Sequence, residues 1–127
     1  MITQQDVDLM LSTRNPDWEK AVGLGIMGLF FRQTVSEQYT GSSIDRNSRG
    51  FNATDPHKGT RWAKMVAEPF EYGDGVEETF RHGGHVYGII PPSEIKAAQA
   101  MAIKYRYQIL DMMKQGEILR SAEHAGR

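Results

Sequence analysis

At 127 residues, with fifteen Lys and Arg against sixteen Asp and Glu, the sequence has the size of one domain and a formal net charge of -1. That length leaves no room for a two-domain enzyme, and the charge lacks the basic excess of a general nucleic-acid binder. Cysteine is absent, which removes disulfide frameworks, thiol catalysis and cysteine-ligated zinc, while 39% hydrophobic and 24% charged residues give a globular balance.

The first residues lack the basic flank and apolar core of a signal peptide, and the longest apolar run, 21–31, falls short of the roughly 20 residues that cross a bilayer. A cytoplasmic protein without a membrane partner is expected. Residues 3–12 (TQQDVDLMLS) predict a short helix within an N-terminal arm, 1–15, of a single domain spanning 1–127. Asn15-Pro16-Asp17 then punctuates the chain, because Asn or Asp caps a helix and proline is accepted in its first turn.

From Asp17 a long helix is predicted to about Tyr39 or Thr40, apolar on almost every side in its first half. In its second half Val35 and Tyr39 alternate with polar Arg32, Ser36 and Glu37. Its stretch 23–28, GLGIMG, has the form G-x-G-x-x-G. Over these six residues it resembles the phosphate loop of the 3-hydroxyisobutyrate and 6-phosphogluconate dehydrogenase family, with Asp45 near the spacing of the ribose-binding acid. A dinucleotide site needs a buried strand before the loop, and the preceding DWEKAV, charged at three of six positions, reads as a helical turn. No cofactor is therefore expected. Gly23, Gly25 and Gly28 are read as a close-packing surface, each costing roughly 1 kcal/mol of helix propensity, and as the contact of a homo-oligomer.

Residues 41–61 are dense in Ser, Asn, Asp, Gly and Arg without a sustained period, the pattern of a functional loop, and Phe51 and Trp62 argue that it is anchored. Charge is uneven: Arg46, Arg49, Lys58 and Arg61 outnumber Asp45 and Asp55, and then Glu68, Glu71, Asp74, Glu77 and Glu78 follow with no basic residue between Glu68 and Arg81. Residues 60–67 predict a short helix with Trp62, Met65 and Val66 on one side. Phe70, Tyr72, Val76 and Phe80, interrupted by Gly73-Asp74-Gly75, and HVYGII after Gly83-Gly84 predict short antiparallel strands.

Pro91-Pro92 closes that sheet, and Ser93 is expected to cap a last helix with Glu94 in its first turn. Ile95, Ala98, Ala102, Tyr105, Ile109 and Met112 form its apolar stripe, Gly116 its stop, and 117–127 a frayed tail. The fold class is thus α+β: two long helices and shorter helices packed with a small two- or three-stranded antiparallel sheet.

Catalytic signals are weak. His82 and His85 flank a glycine pair and read as hairpin tips better than as metal ligands, since further ligands are missing. Glu77 and Glu78, adjacent in a strand, would point to opposite faces and read as a solvated edge that discourages strand aggregation. No G-x-S-x-G or P-loop occurs. Neither a metal nor a catalytic residue is expected, and a non-enzyme is the favoured reading.

Three separated blocks carry the sharper signal: Arg32-Gln33-Thr34 with Glu37-Gln38, then Asn47 through Gly50-Phe51-Asn52 to Asp55, then Lys104-Tyr105-Arg106-Tyr107-Gln108. Their order, RQT..EQ, N..GFN..D and KYR.Q, resembles a small module of phage and prophage genomes, free-standing or joined to phage helicase-like proteins. That resemblance implies a mobile-element accessory protein. Chemically, Arg32, Arg49 and Arg106 offer forked donors to phosphate, Phe51 with Tyr105 or Tyr107 can stack a base, and Asn47, Asn52 and Asp55 can read polar edges. Gln33 and Thr34 complete the candidate ligand-binding set.

The same residues have structural readings: Phe51 pins the loop, Asp55 caps the turn at Pro56, and Tyr105 belongs to the buried stripe. The expected function is capture of a small anionic nucleotide by a non-catalytic phage protein, such as an anti-defence sponge for a cyclic nucleotide or cyclised ADP-ribose. Single-stranded nucleic-acid binding in phage replication or recombination is the alternative, and a nucleotide-processing enzyme is a third.

Overall fold

The computed structural model describes residues 2–32, 55–73 and 75–115. The expected continuation of the long helix over 33–40, the loop to residue 54, Gly116 and the 117–127 tail lie outside these residues.

Helix α1 (Gln4–Met10) opens with a capping box: the Asp6 N–H donates to the Thr3 hydroxyl, and the Thr3 N–H donates to the Asp6 carboxylate. Its Val7, and Leu11 beyond its end, are fully buried. Asn15 makes the next turn. Its side-chain amide donates to the Met10 carbonyl at 2.9 Å, and its side-chain oxygen accepts the Asp17 N–H at 3.1 Å, an Asx turn that leads into helix α2 (Trp18–Arg32).

Helix α2 is central because it is apolar around most of its circumference; Val22, Gly23 and 25–29 are buried, and it packs against three other helices. GLGIMG lies wholly inside it. A Cβ on Gly23 would stand 3.1 Å from Val66 Cγ2, and one on Gly25 would stand 3.0 Å from Ile109 Cδ1. The close packing expected of these two glycines is therefore made with the chain's own helices. Gly25→Ala is expected to change stability by less than about 1 kcal/mol, because the gain in helix propensity offsets a small displacement of the Ile109 tip; the urea midpoint measures it.

Helix α3 (Pro56–Ala67) starts at a proline, four residues before the expected position 60, and buries Trp62, Met65 and Val66 as the period predicts. A single turn, α4 (Pro69–Tyr72), follows. Phe70 and Tyr72 are thus helical where strand was expected, and Val76 also stands outside the strands. Pro69 at the first helical position sets a helical φ, and the Tyr72 and Gly73 N–H groups close the turn onto Glu68 and Pro69 carbonyls.

Strands β1 (Thr79–His82) and β2 (His85–Gly88) form an antiparallel hairpin, the two-stranded version of the expected sheet. Gly83 and Gly84, at φ 59° and 82°, supply the two left-handed residues that a tight hairpin turn demands. Phe80 and Tyr87 face each other with ring centroids 5.5 Å apart, and Tyr87 is fully buried.

Helix α5 (Ile95–Lys104) follows Glu94, not Ser93, at its N-cap, and Glu94 makes no capping bond. Its carboxylate instead accepts from Arg61 and, at 3.1 Å, from the Trp62 indole, tying α5 to α3. The predicted last helix is interrupted once. Tyr105 leaves helical geometry (φ -102°, ψ 20°) between α5 and α6 (Arg106–Gln115), its N–H shared by the Met101 and Ala102 carbonyls. All six stripe residues are nonetheless buried, because a single-residue break preserves the period. The architecture is α+β, helices surrounding α2 with the hairpin on one flank.

Candidate functional site

The described ends of the three blocks meet along residues 104–111. Arg32, at the end of α2, keeps only 5% of its side chain exposed and donates to the Asp111 carboxylate at 2.8 Å. Its other terminal nitrogen reaches both the carbonyl and the side-chain oxygen of Gln108, each at 3.4 Å. Asp55, at the start of α3, accepts from the Tyr105 hydroxyl and from the Lys104 ammonium, both at 2.7 Å. Burial pushes the Asp55 carboxyl up, but the hydrogen bonds from Lys104 and Tyr105 and the charges of Lys104 and Lys58 outweigh it and hold the carboxyl below the usual range.

These contacts correct three expected roles. Arg32 and Asp55 are engaged within the chain, so each serves as a strut and not as an open donor or reader. Tyr105 is only 7% exposed and offers no ring face for a base; Tyr107, 65% exposed, does. Asp55 stands at the N-cap of α3, as its place before Pro56 predicts, but it makes no side-chain capping bond, because its oxygen is bound to Tyr105 and Lys104. Arg106 turns elsewhere. It donates to the Ile103 carbonyl and the Tyr107 hydroxyl, stacks 4.7 Å over the Tyr107 ring, and approaches Asp8 of α1 at 3.9 Å. Gln33, Thr34, Asn47, Arg49, Phe51 and Asn52 lie outside the described residues.

Asp111, the partner of Arg32, escaped the sequence analysis. An acid one turn beyond the KYR.Q block was visible, but nothing local says which of many cations it meets. A second missed feature is a cleft of about 360 Å³ lined by Trp18, Glu19, Glu77, Glu78, Ile89, Ile90, Pro92 and Ile95. Glu77 and Glu78 precede β1, and both border this cleft. Its three carboxylates make it repel anionic groups such as phosphate.

His85 is not an exposed hairpin tip: its Nε2 donates to the Ala67 carbonyl at 2.6 Å, and its ring packs 4.7 Å from that of Tyr87. Among the described residues no group of three or more His, Cys, Asp or Glu is placed to hold a metal, and no helix is long and apolar enough to cross a membrane.

The class that the fold defines is a helix-rich α+β protein whose last helices hold Arg32 and Asp55 by side-chain hydrogen bonds. No protein-family model, no curated protein and no solved structure matches the chain.

Proposed function

We propose that this chain is a non-catalytic accessory protein that captures a small anionic nucleotide at the surface built on residues 104–111. In the setting implied by the phage-module resemblance, the ligand is a host-defence nucleotide signal held as by a sponge. One observation carries the reading: blocks far apart in sequence are joined by Arg32 to Asp111 and Gln108 and by Asp55 to Lys104 and Tyr105. Such bracing is what a preorganised site requires, because ligand-contacting groups lose affinity when their supports move.

Division of labour follows from burial. Arg32, Asp55, Tyr105 and Asp111 support the site. Arg106 and Tyr107 present a guanidinium stacked on an exposed ring, a platform for phosphate and base, and Lys58 is exposed nearby in sequence to Asp55. Arg49 and Phe51 are the sequence-based candidates to complete the contact. The Asp55 and Tyr105 oxygens bind one another, which fits support better than proton transfer.

A thermal-shift and calorimetric panel of cyclic di- and trinucleotides, cyclic ADP-ribose isomers, NAD and a short oligonucleotide tests the proposal. At least one small nucleotide is expected to raise the melting temperature and to be recovered intact after denaturation. Arg106→Ala and Tyr107→Ala are each expected to weaken it about tenfold, the value of one stacking or phosphate contact. Absence of any shift, turnover of the ligand, or unchanged binding by both variants overturns the proposal. Oligonucleotide binding that falls steeply with salt replaces it with the single-strand reading.

A further inference from the structure

The β-hairpin has one covered edge and one open edge. Helices α3 and α4 pack on β2. On β1 the Ile89 N–H bonds to the Glu78 carbonyl at 2.9 Å, and the ladder continues with Phe80 opposite Tyr87 and His82 opposite His85. Antiparallel strands alternate the direction of their main-chain groups, so Glu78, Phe80 and His82 turn theirs toward β2, and Thr79 and Arg81 turn theirs outward, with Glu77 next in line. Among the described residues no hydrogen bond to another element reaches the N–H or C=O of Thr79 or Arg81, and both side chains are exposed.

We propose that this edge pairs with the same edge of a second copy of the chain, forming a four-stranded antiparallel sheet across a two-fold axis at Thr79. The sequence around the axis, EETFR over 77–81, is self-complementary in charge. With Thr79 opposite Thr79, Glu77 of each copy lies opposite Arg81 of the other, twice in the dimer. Outward residues must pair with outward residues, which leaves few registers. Moving the axis one residue toward the turn sets Arg81 against Thr79; moving it two sets Arg81 against Arg81, a like-charge clash. Moving it one residue the other way sets Glu77 against Thr79. Only the Thr79 axis opposes the two charges, and opposite charges directly across a sheet stabilise where like charges destabilise.

The charged edge is thus selective. It rejects foreign strands as charged edges do, and it accepts its own copy in one register. Glu78 lies diagonally across from the second copy's Glu78 in this arrangement, and a five-residue edge buries less than the roughly 1,000 Å² of a stable interface. The dimer is therefore weak, with a Kd on the order of 100 µM. The inference is independent of the nucleotide proposal.

Sedimentation equilibrium at low salt, from about 10 µM to about 1 mM so as to bracket that constant, reads the association. A concentration-dependent dimer is expected, weakened about tenfold or more by Arg81→Glu or by Glu77→Arg and restored by the two substitutions together, because the double reversal recreates both pairs. A monomer at every concentration overturns the proposal. So does a dimer that either single reversal leaves unchanged, or one that the double reversal fails to restore.

Discussion

Gly88→Ala is expected to destabilise the chain by about 3 kcal/mol, the upper range for forcing an atom into a packed interior. A Cβ at Gly88, the last residue of β2, would lie 2.5 Å from the Met65 carbonyl oxygen, 2.9 Å from Pro69 Cβ and 3.3 Å from Val76 Cγ1. The nearest obstacle is main chain of α3, and the next is the proline that opens α4, so relief requires moving a helix against the hairpin. Gly25 differs because its neighbour is the flexible end of a side chain. Urea unfolding measures the loss, and the melting temperature is expected to fall by roughly 10 °C. Equal stability of variant and wild type would contradict the closeness of β2 to α3.

The second large effect concerns the Asp55 contact. Asp55→Ala is expected to cost about 2 kcal/mol, because it removes the acceptor that the buried Tyr105 hydroxyl reaches at 2.7 Å. Lys104 contributes less, its side chain being 47% exposed. A double-mutant cycle with Tyr105→Phe is expected to give a coupling of about 1 kcal/mol; additive losses would remove the strut role of this pair. The pH dependence has a definite sign. The folded carboxyl titrates below the ordinary Asp value of about 3.9, so its stabilisation is complete above that value and disappears as pH falls through the lower folded one. Urea midpoints of Asp55→Asn are expected to fall less steeply below about pH 4 than those of wild type.

Most helices were legible because their signals are local. Thr3 and Asp6 are three residues apart, Asn15 acts within five residues, and the stripe from Ile95 to Met112 needs only the helical period. The hairpin was legible from Gly83-Gly84 for the same reason. The structure departs from the local pattern where one residue overrides its neighbours or a distant partner intervenes. Pro69 converts Phe70 and Tyr72 from strand to turn, and that cue was in the sequence. Glu94 bonds to Arg61 and Trp62, thirty-three and thirty-two residues away, and no local rule ranks those partners against capping by Ser93.

The candidate site shows the limit more sharply. Residues 95–112 contain neither glycine nor proline, so nothing local encodes the break at Tyr105. The residue that breaks is the one whose hydroxyl reaches Asp55, fifty positions earlier. Arg32 reads as an available phosphate donor until Asp111, seventy-nine positions later, is seen beside it.

By itself the sequence determined the α+β class, the central apolar helix and the turns. These follow from periodicity, capping and glycine conformation, whose energies depend on residues within a turn or two. Only the tertiary structure decided which charges neutralise one another, which aromatic rings are buried, and which strand edge stays open, because each depends on contacts between residues that chain connectivity leaves far apart.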